Sequence, residues 1–201
     1  MDRLDRVLAA AAPLLRQVDD LLAAGGAPPD HHIWTELRRV RLLPGDAARS
    51  VAALRPEELL EAAPGLRADA RAYGVLAASL PGPGVWTGAA AEAYDAARQR
   101  AAEHLCGGEE SLGARLEASA DLADGLVAWM RGTRAEVADA LARALGSTEA
   151  VVLAEGAADP ASSRDLDAAA QVGALVLRAV ADGCLTGADL LHDSAGLAHP
   201  H

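Results

Sequence analysis

The sequence predicts an all-α protein: a long antiparallel helical hairpin, with extra N- and C-terminal helices that complete a helical bundle. Three observations predict it. Ala, Leu, Arg and Glu are prominent among the 201 residues, and these side chains lose little freedom in a helix. The β-branched and aromatic residues that favour strands are scarce, with no Phe and Ile33 as the single Ile. Apolar residues recur at steps of three, four and seven, in stretches separated by Pro and Gly.

Taken in order, the first stretch places Leu4, Val7/Leu8, Ala11, Leu14/Leu15, Val18 and Leu21/Leu22 on one stripe, with a kink expected at Pro13. Gly25, Gly26, Pro28 and Pro29 end it. Asp30 is expected to cap a helix over 31–43, and Pro44-Gly45-Asp46 to break it and start another to Leu54. Pro56 with Glu57 and Glu58 reads as a first helical turn. Pro64-Gly65 is an expected interruption. Leu66, Ala70, Tyr73, Leu76/Ala77 and Leu80 then form four turns of stripe. After Pro81-Gly82-Pro83-Gly84, with Thr87 as a plausible N-cap, a long helix is expected from Gly88 to Leu145. It is either bent or split in two nearly collinear pieces at Gly107-Gly108. Val151-Val152-Leu153 is the one strand-like run and too short for a sheet. A linker over 155–163 precedes a last helix over 164–181, a short turn near Asp189 and a loose tail from His192. The organisation expected is 1–56 as N-terminal helices packing on the hairpin, 57–146 as the hairpin itself, and 147–201 as linker, C-terminal helix and tail.

The net charge is −11. Nucleic-acid binding rests on cationic contacts to phosphates, so an acidic chain fits it poorly, and an anionic membrane surface equally so. The first residues, Met1-Asp2-Arg3-Leu4-Asp5, show no basic stretch followed by an apolar one, so no Sec-type leader is expected. Nor is a membrane span expected.

The informative motif is Trp86-Thr87-Gly88, set between an amphipathic helix with a Pro/Gly break and an Ala run followed by Tyr94. An indole there can fill the space where two antiparallel helices diverge, and a Gly lets the next helix approach closely. Trp86 thus reads as an internal staple of the hairpin in preference to a partner contact. Trp34 and Trp129 read as core, and as interface aromatics if exposed.

On these residues the stretch 57–146 resembles the WXG family of small helical-hairpin proteins, substrates of the type VII (ESX) secretion systems of actinobacteria and related Gram-positives. The resemblance implies that Trp86 and Gly88 form the turn, with Tyr94 as the following aromatic. It further implies a non-catalytic protein that pairs with a like hairpin, in a homo- or heterodimer, and that is cytoplasmic before leaderless export. The family's export tag, a Tyr followed four residues later by Asp or Glu, has no match: Tyr73 is followed by Ala77 and Tyr94 by Arg98. A cytoplasmic helical adaptor or cognate binding protein is the alternative, with a ligand-binding or enzymatic bundle behind it.

Chemistry-bearing residues are sparse. His31 and His32 are adjacent and point to different helix faces; Asp189 and His192 form one i, i+3 pair where a di-metal bundle needs two. His104 and Cys106, two apart on a helix, do not face each other. The chain has no Lys, hence no phosphate loop with its Lys. Cys106 and Cys184 read as plain thiols. Catalytic residues, cofactor and metal are therefore all expected to be none.

Overall fold

The structure, a computed structural model, describes residues 2–155 and 162–197, with side chains described through Ser194. The described residues form eight α-helices and one 3-10 turn, with no strand among them. The helices are α1 (Arg3–Gly25), α2 (Ile33–Val40), α3 (Pro44–Ala52), α4 (Ala62–Ser79), α5 (Ala89–Cys106), α6 (Leu112–Leu145), α7 (Thr148–Glu155) and α8 (Ser163–Leu197), with the 3-10 turn at Pro56–Leu59. The all-α bundle is thus established. The chain divides into two compact units, one of residues 1–55 and 128–188, the other of 56–127 and 189–201. The stretch 57–146 is therefore shared between them, with residues 128–145 of α6 belonging to the first unit.

In the first unit, α1 buries Leu4, Ala11, Leu15, Val18, Leu21 and Leu22, the stripe read from the sequence. The helix runs on through Pro13 without a break. It starts on a capping box in which Asp2 accepts from the Asp5 amide at 3.0 Å and Asp5 accepts from the Asp2 amide at 3.1 Å. The core joins α1 to Ile33 of α2, to Ala47, Ala48 and Val51 of α3, to Val137, Ala138, Leu141 and Ala144 of α6, to Leu153 of α7 and to α8. On α8, Ala168, Ala169, Ala170, Val172, Ala174, Val176, Leu177, Val180 and Ala181 are all buried. A helix apolar on most of its faces is a central one.

Several local expectations are corrected here. The Val151-Val152-Leu153 run is helical within α7, because Leu153 finds the core one helical face away from exposed Val151. Helix α8 extends to Leu197, so the expected turn at 189–191 and the start of the expected loose tail are helix. It is also long and apolar enough to cross a membrane by length and composition, with 56% of its apolar window buried inside the fold. Of the expected linker, residues 156–161 lie outside the described residues, as do His199 and His201. Helix α3 has no cap of its own; Asp19, on α1, accepts from the Gly45 amide at 3.0 Å. Likewise Gln17 on α1 donates to the Leu153 carbonyl at 2.7 Å, satisfying the last turn of α7.

In the second unit, α4 runs uninterrupted through Pro64 and Gly65. Pro64 stands in the first turn, where the missing N–H has no helical partner to lose. The Gly107-Gly108 break separates α5 from α6, and Ser111 caps α6 by accepting from the Ala114 amide at 3.2 Å. The order of partners fixes the direction of packing. Arg67 pairs with Asp121 and Asp124 at 2.7 Å each and with Glu117 at 3.5 Å, while a Cβ on Gly113 would meet the Ala70 carbonyl. Residue numbers fall along α4 as they rise along α6, so the two are antiparallel. The same holds for α4 and α5, since Tyr94 reaches Pro81 and Cys106 faces Gly74. Helix α4 therefore folds back against α5 and α6 in series.

The expected spine is not where most of the apolar burial lies. Helices α4 and α5 bury only Ala63, Ala70 and Ala91, and the larger core contains no residue of 56–127. The extra helices make their own core with the second half of α6 instead.

Candidate interaction site

The turn between α4 and α5 is built by backbone chemistry. Leu80 leaves α4 in an extended conformation and Pro81-Gly82-Pro83 cannot continue the helix. The Trp86 amide donates to the Pro83 carbonyl at 3.3 Å, and the Ala91 and Glu92 amides donate to the Gly88 carbonyl at 3.0 and 3.2 Å. Gly88, not the expected Thr87, is the N-cap of α5, with φ +85°. A Cβ on Gly88 would meet nothing within 4 Å. Its role is therefore the left-handed backbone that starts α5, and close helix approach does not require it. Gly88→Ala should destabilise the hairpin by about 1–2 kcal/mol, read as a lower urea midpoint of the intact chain.

Trp86 is the main correction at this site. Its side chain is 64% exposed, so it does not staple the hairpin from inside. The buried positions of α4 and α5 are all alanines, and no large side chain is buried on either helix. The ring instead lies against Tyr94, edge to face, with centroids 5.9 Å apart. Tyr94 is itself partly exposed, and its hydroxyl donates to the Pro81 carbonyl at 2.9 Å, bracing the turn. Val85 beside Trp86 is 96% exposed, and Val75 and Leu76 near the end of α4 are also exposed. The hairpin end thus displays two exposed large apolar side chains, Val85 and Trp86, the latter touching Tyr94 on one side.

The other two tryptophans differ. Trp34 is exposed, contrary to the core reading; its indole N–H donates to the Pro28 carbonyl at 2.9 Å, which holds the ring over the α1–α2 connection. Trp129 is half-buried and donates to the Gly183 carbonyl at 2.7 Å. Its ring lies so close to α8 that a Cβ on Gly187 would stand 2.7 Å from it. It is a packing residue between α6 and α8.

Cys106 and Cys184 are free and exposed thiols. Asp189, His192 and His104 are exposed, and no group of three or more His, Cys, Asp or Glu among the described residues could hold a metal ion. Arg98, four residues after Tyr94, pairs with Asp95 at 2.8 Å.

Sequence reasoning missed Arg134. It is buried on α6 and bonds Asp2, Asp5 and the carbonyls of Val51, Ala52 and Leu54. A signal was present: position 134 falls on the stripe Met130, Val137, Leu141, where a lone Arg must find buried partners. The Asp5 amide, and Arg134 with it, hold the Asp2 carboxyl below its ordinary range. Burial pushes the Asp19 carboxyl above it, against the pull of the Gly45 amide.

Compared with known proteins, the chain matches no family model, no curated protein and no solved structure at a significant level.

Proposed function

We propose that this chain is a non-catalytic, type VII secretion-associated WXG-like protein that acts by helix–helix contact with a protein partner, its hairpin end being the contact surface. The observation that carries the reading is the exposure of Trp86 at a sharp helical reversal, beside exposed Val85 and braced by Tyr94. Large apolar side chains gathered in water mark contact surfaces, and Trp is among the commonest anchors. The alanine-lined helices α4 and α5 leave most of their faces unburied, as a hairpin awaiting a like hairpin would. On this reading the protein is cytoplasmic before export, spans no membrane and carries no cofactor.

A second reading, a cytoplasmic adaptor or cognate binding protein that is not itself exported, rests on the missing export tag. Tyr94 has Arg98 four residues on, and that Arg is already paired with Asp95.

The test is capture from the native host with the tagged chain, alongside the products of neighbouring genes. The culture filtrate of strains with and without the secretion ATPase is assayed in parallel. Trp86→Ala should weaken the captured complex by about 30-fold or more, the effect of losing a hot-spot Trp, and change folding stability by no more than about 0.5 kcal/mol. ATPase-dependent appearance in the filtrate supports the secretion reading. A captured hairpin partner with no export favours the adaptor. Unchanged capture by Trp86→Ala rules out the hairpin end as the contact.

A further inference from the structure

Helix α2 begins on a histidine where a Ser, Asp or Asn would be usual. Asp30, the expected cap, is not the acceptor, and His32 at the N-cap position makes no side-chain hydrogen bond. The Ile33 amide donates instead to His31 Nδ1 at 3.1 Å. A ring nitrogen that accepts carries no proton, so the neutral imidazole holds its proton on Nε2. That Nε2 is buried and makes no hydrogen bond of good geometry, although the Gln171 side chain is within reach of the ring. The His32 ring lies 4.2 Å away, tilted by 31°. Asp167 and Gln171 face the ring from α8.

The residue fixed by this bond is central to how α2 docks. Ile33 is fully buried, and its Cδ1 would stand 2.9 Å from a Cβ on Gly173 of α8, where Pro44 and Leu22 also converge. Ile33 and Glu36 are the buried residues of α2. The helix is eight residues long, well below the length at which an isolated helix holds in water. Its attachment rests on Ile33 in the first turn, with Leu37 and Val40 packed on the core and Glu36 paired with Arg39 and Arg178.

A second proton on the ring can enter only at Nδ1, the lone pair already used by the Ile33 amide. Two N–H groups would then oppose each other and the cap would be lost. The new charge would also sit at the positive end of the helix and beside His32. Asp167 and Gln171 favour that charge, but burial, with His32, outweighs them and holds His31 below its ordinary value of about 6.5. The unfolded segment thus binds a proton more readily than the folded one. The docking of α2 is full above that ordinary value and weakens as pH falls through the lowered one.

We propose that His31 is a proton-operated latch: the neutral ring holds the first turn of α2 on the core, and acidification releases it. The device is independent of the hairpin end and of any partner there.

Hydrogen exchange of the full chain, corrected for intrinsic rates, tests it between about pH 7.5 and about pH 5.5, a range that brackets imidazole titration. Protection across Ile33–Val40 should fall about 5-fold or more, the effect of losing a cap, while protection in the buried stretch of α8 stays level. His31→Asn keeps an acceptor without a titrating ring, so its α2 protection should not respond to pH. A level response in the natural sequence, or a fall that persists in His31→Asn, overturns the latch. Imidazole 15N shifts of the natural sequence decide the matter even if the variant does not fold: a proton on Nδ1 in the neutral ring is incompatible with it.

Discussion

Arg134→Ala should cost the unit of residues 1–55 and 128–188 about 1–3 kcal/mol, the range for leaving backbone acceptors without their donor, since its carboxylate partners Asp2 and Asp5 are 50% and 37% exposed and regain water. The guanidinium is 8% exposed and its Nη2 lies 2.7 Å from Asp2 and 3.1 Å from Asp5. Its Nη1 donates to the Val51, Ala52 and Leu54 carbonyls at 3.3, 2.6 and 3.1 Å. The Ala52 and Leu54 carbonyls lie at and just beyond the end of α3, past its helical bonding, while the Val51 carbonyl also accepts from the Leu54 amide at 3.1 Å. One side chain on α6 thus joins the capping box of α1 to the frayed end of α3. Its loss leaves buried acceptors without donors, and that penalty exceeds the worth of any single bond. Arg134→Lys should not restore it, since one ammonium cannot span the fork.

The comparison is Arg67, whose three carboxylate partners are 48%, 74% and 57% exposed. Arg67→Ala should cost no more than about 1 kcal/mol, because water screens each pair and replaces each bond. Urea unfolding of the intact chain, followed by circular dichroism, measures both. Equal effects would mean the Arg134 cluster is solvated in the folded protein. The Asp2 carboxylate adds a pH signature. Its lowered pKa means that its contribution is present in the neutral range and is lost as pH falls through that lowered value.

Leu177→Ala is the second large effect, at about 2–5 kcal/mol. Leu177 is 0% exposed at the centre of α8, in the core that α1, α6 and α8 share. Removing its isobutyl group forfeits transfer free energy and leaves a cavity that close-packed helices cannot collapse to fill. Leu185, eight residues on in the same helix, is 54% exposed. Leu185→Ala should therefore fall within about 0.5 kcal/mol of the natural protein. The two substitutions share helix propensity and side-chain chemistry, so their difference isolates burial. Similar midpoints for both would mean that α8 does not carry the core.

Periodicity proved a good guide where one face of a helix meets one core. The α1 stripe is an example: every residue it buries was marked by its spacing. Breakers were equally readable where they sit between helices, as at Pro81–Gly84. They misled within a first turn, because Pro64 loses no bond there. The strand-like Val151-Val152-Leu153 misled for the opposite reason, since three residues carry too little pattern to set against tertiary contact.

The candidate site was half legible. Trp86-Thr87-Gly88 marked the reversal, because a positive φ and a Pro/Gly run are local requirements written in residue type. The direction of the indole was not, because it depends on how the turn sits against Tyr94 and not on the residue type at 86. Asp19, His31 and Gln17 were hidden for a related reason. Each satisfies backbone groups of a neighbouring or distant segment, and no spacing rule relates 19 to 45 or 17 to 153.

The amino-acid order alone settled the helical class, most of the helix limits and the place where the chain turns back, since these follow from dihedral preference and apolar period within a few residues. Only the packed structure decided which tryptophan faces water, which arginine is buried and which helices share a core. Those outcomes depend on the volume and unmet hydrogen bonds of segments far apart in the chain, and no local pattern records them.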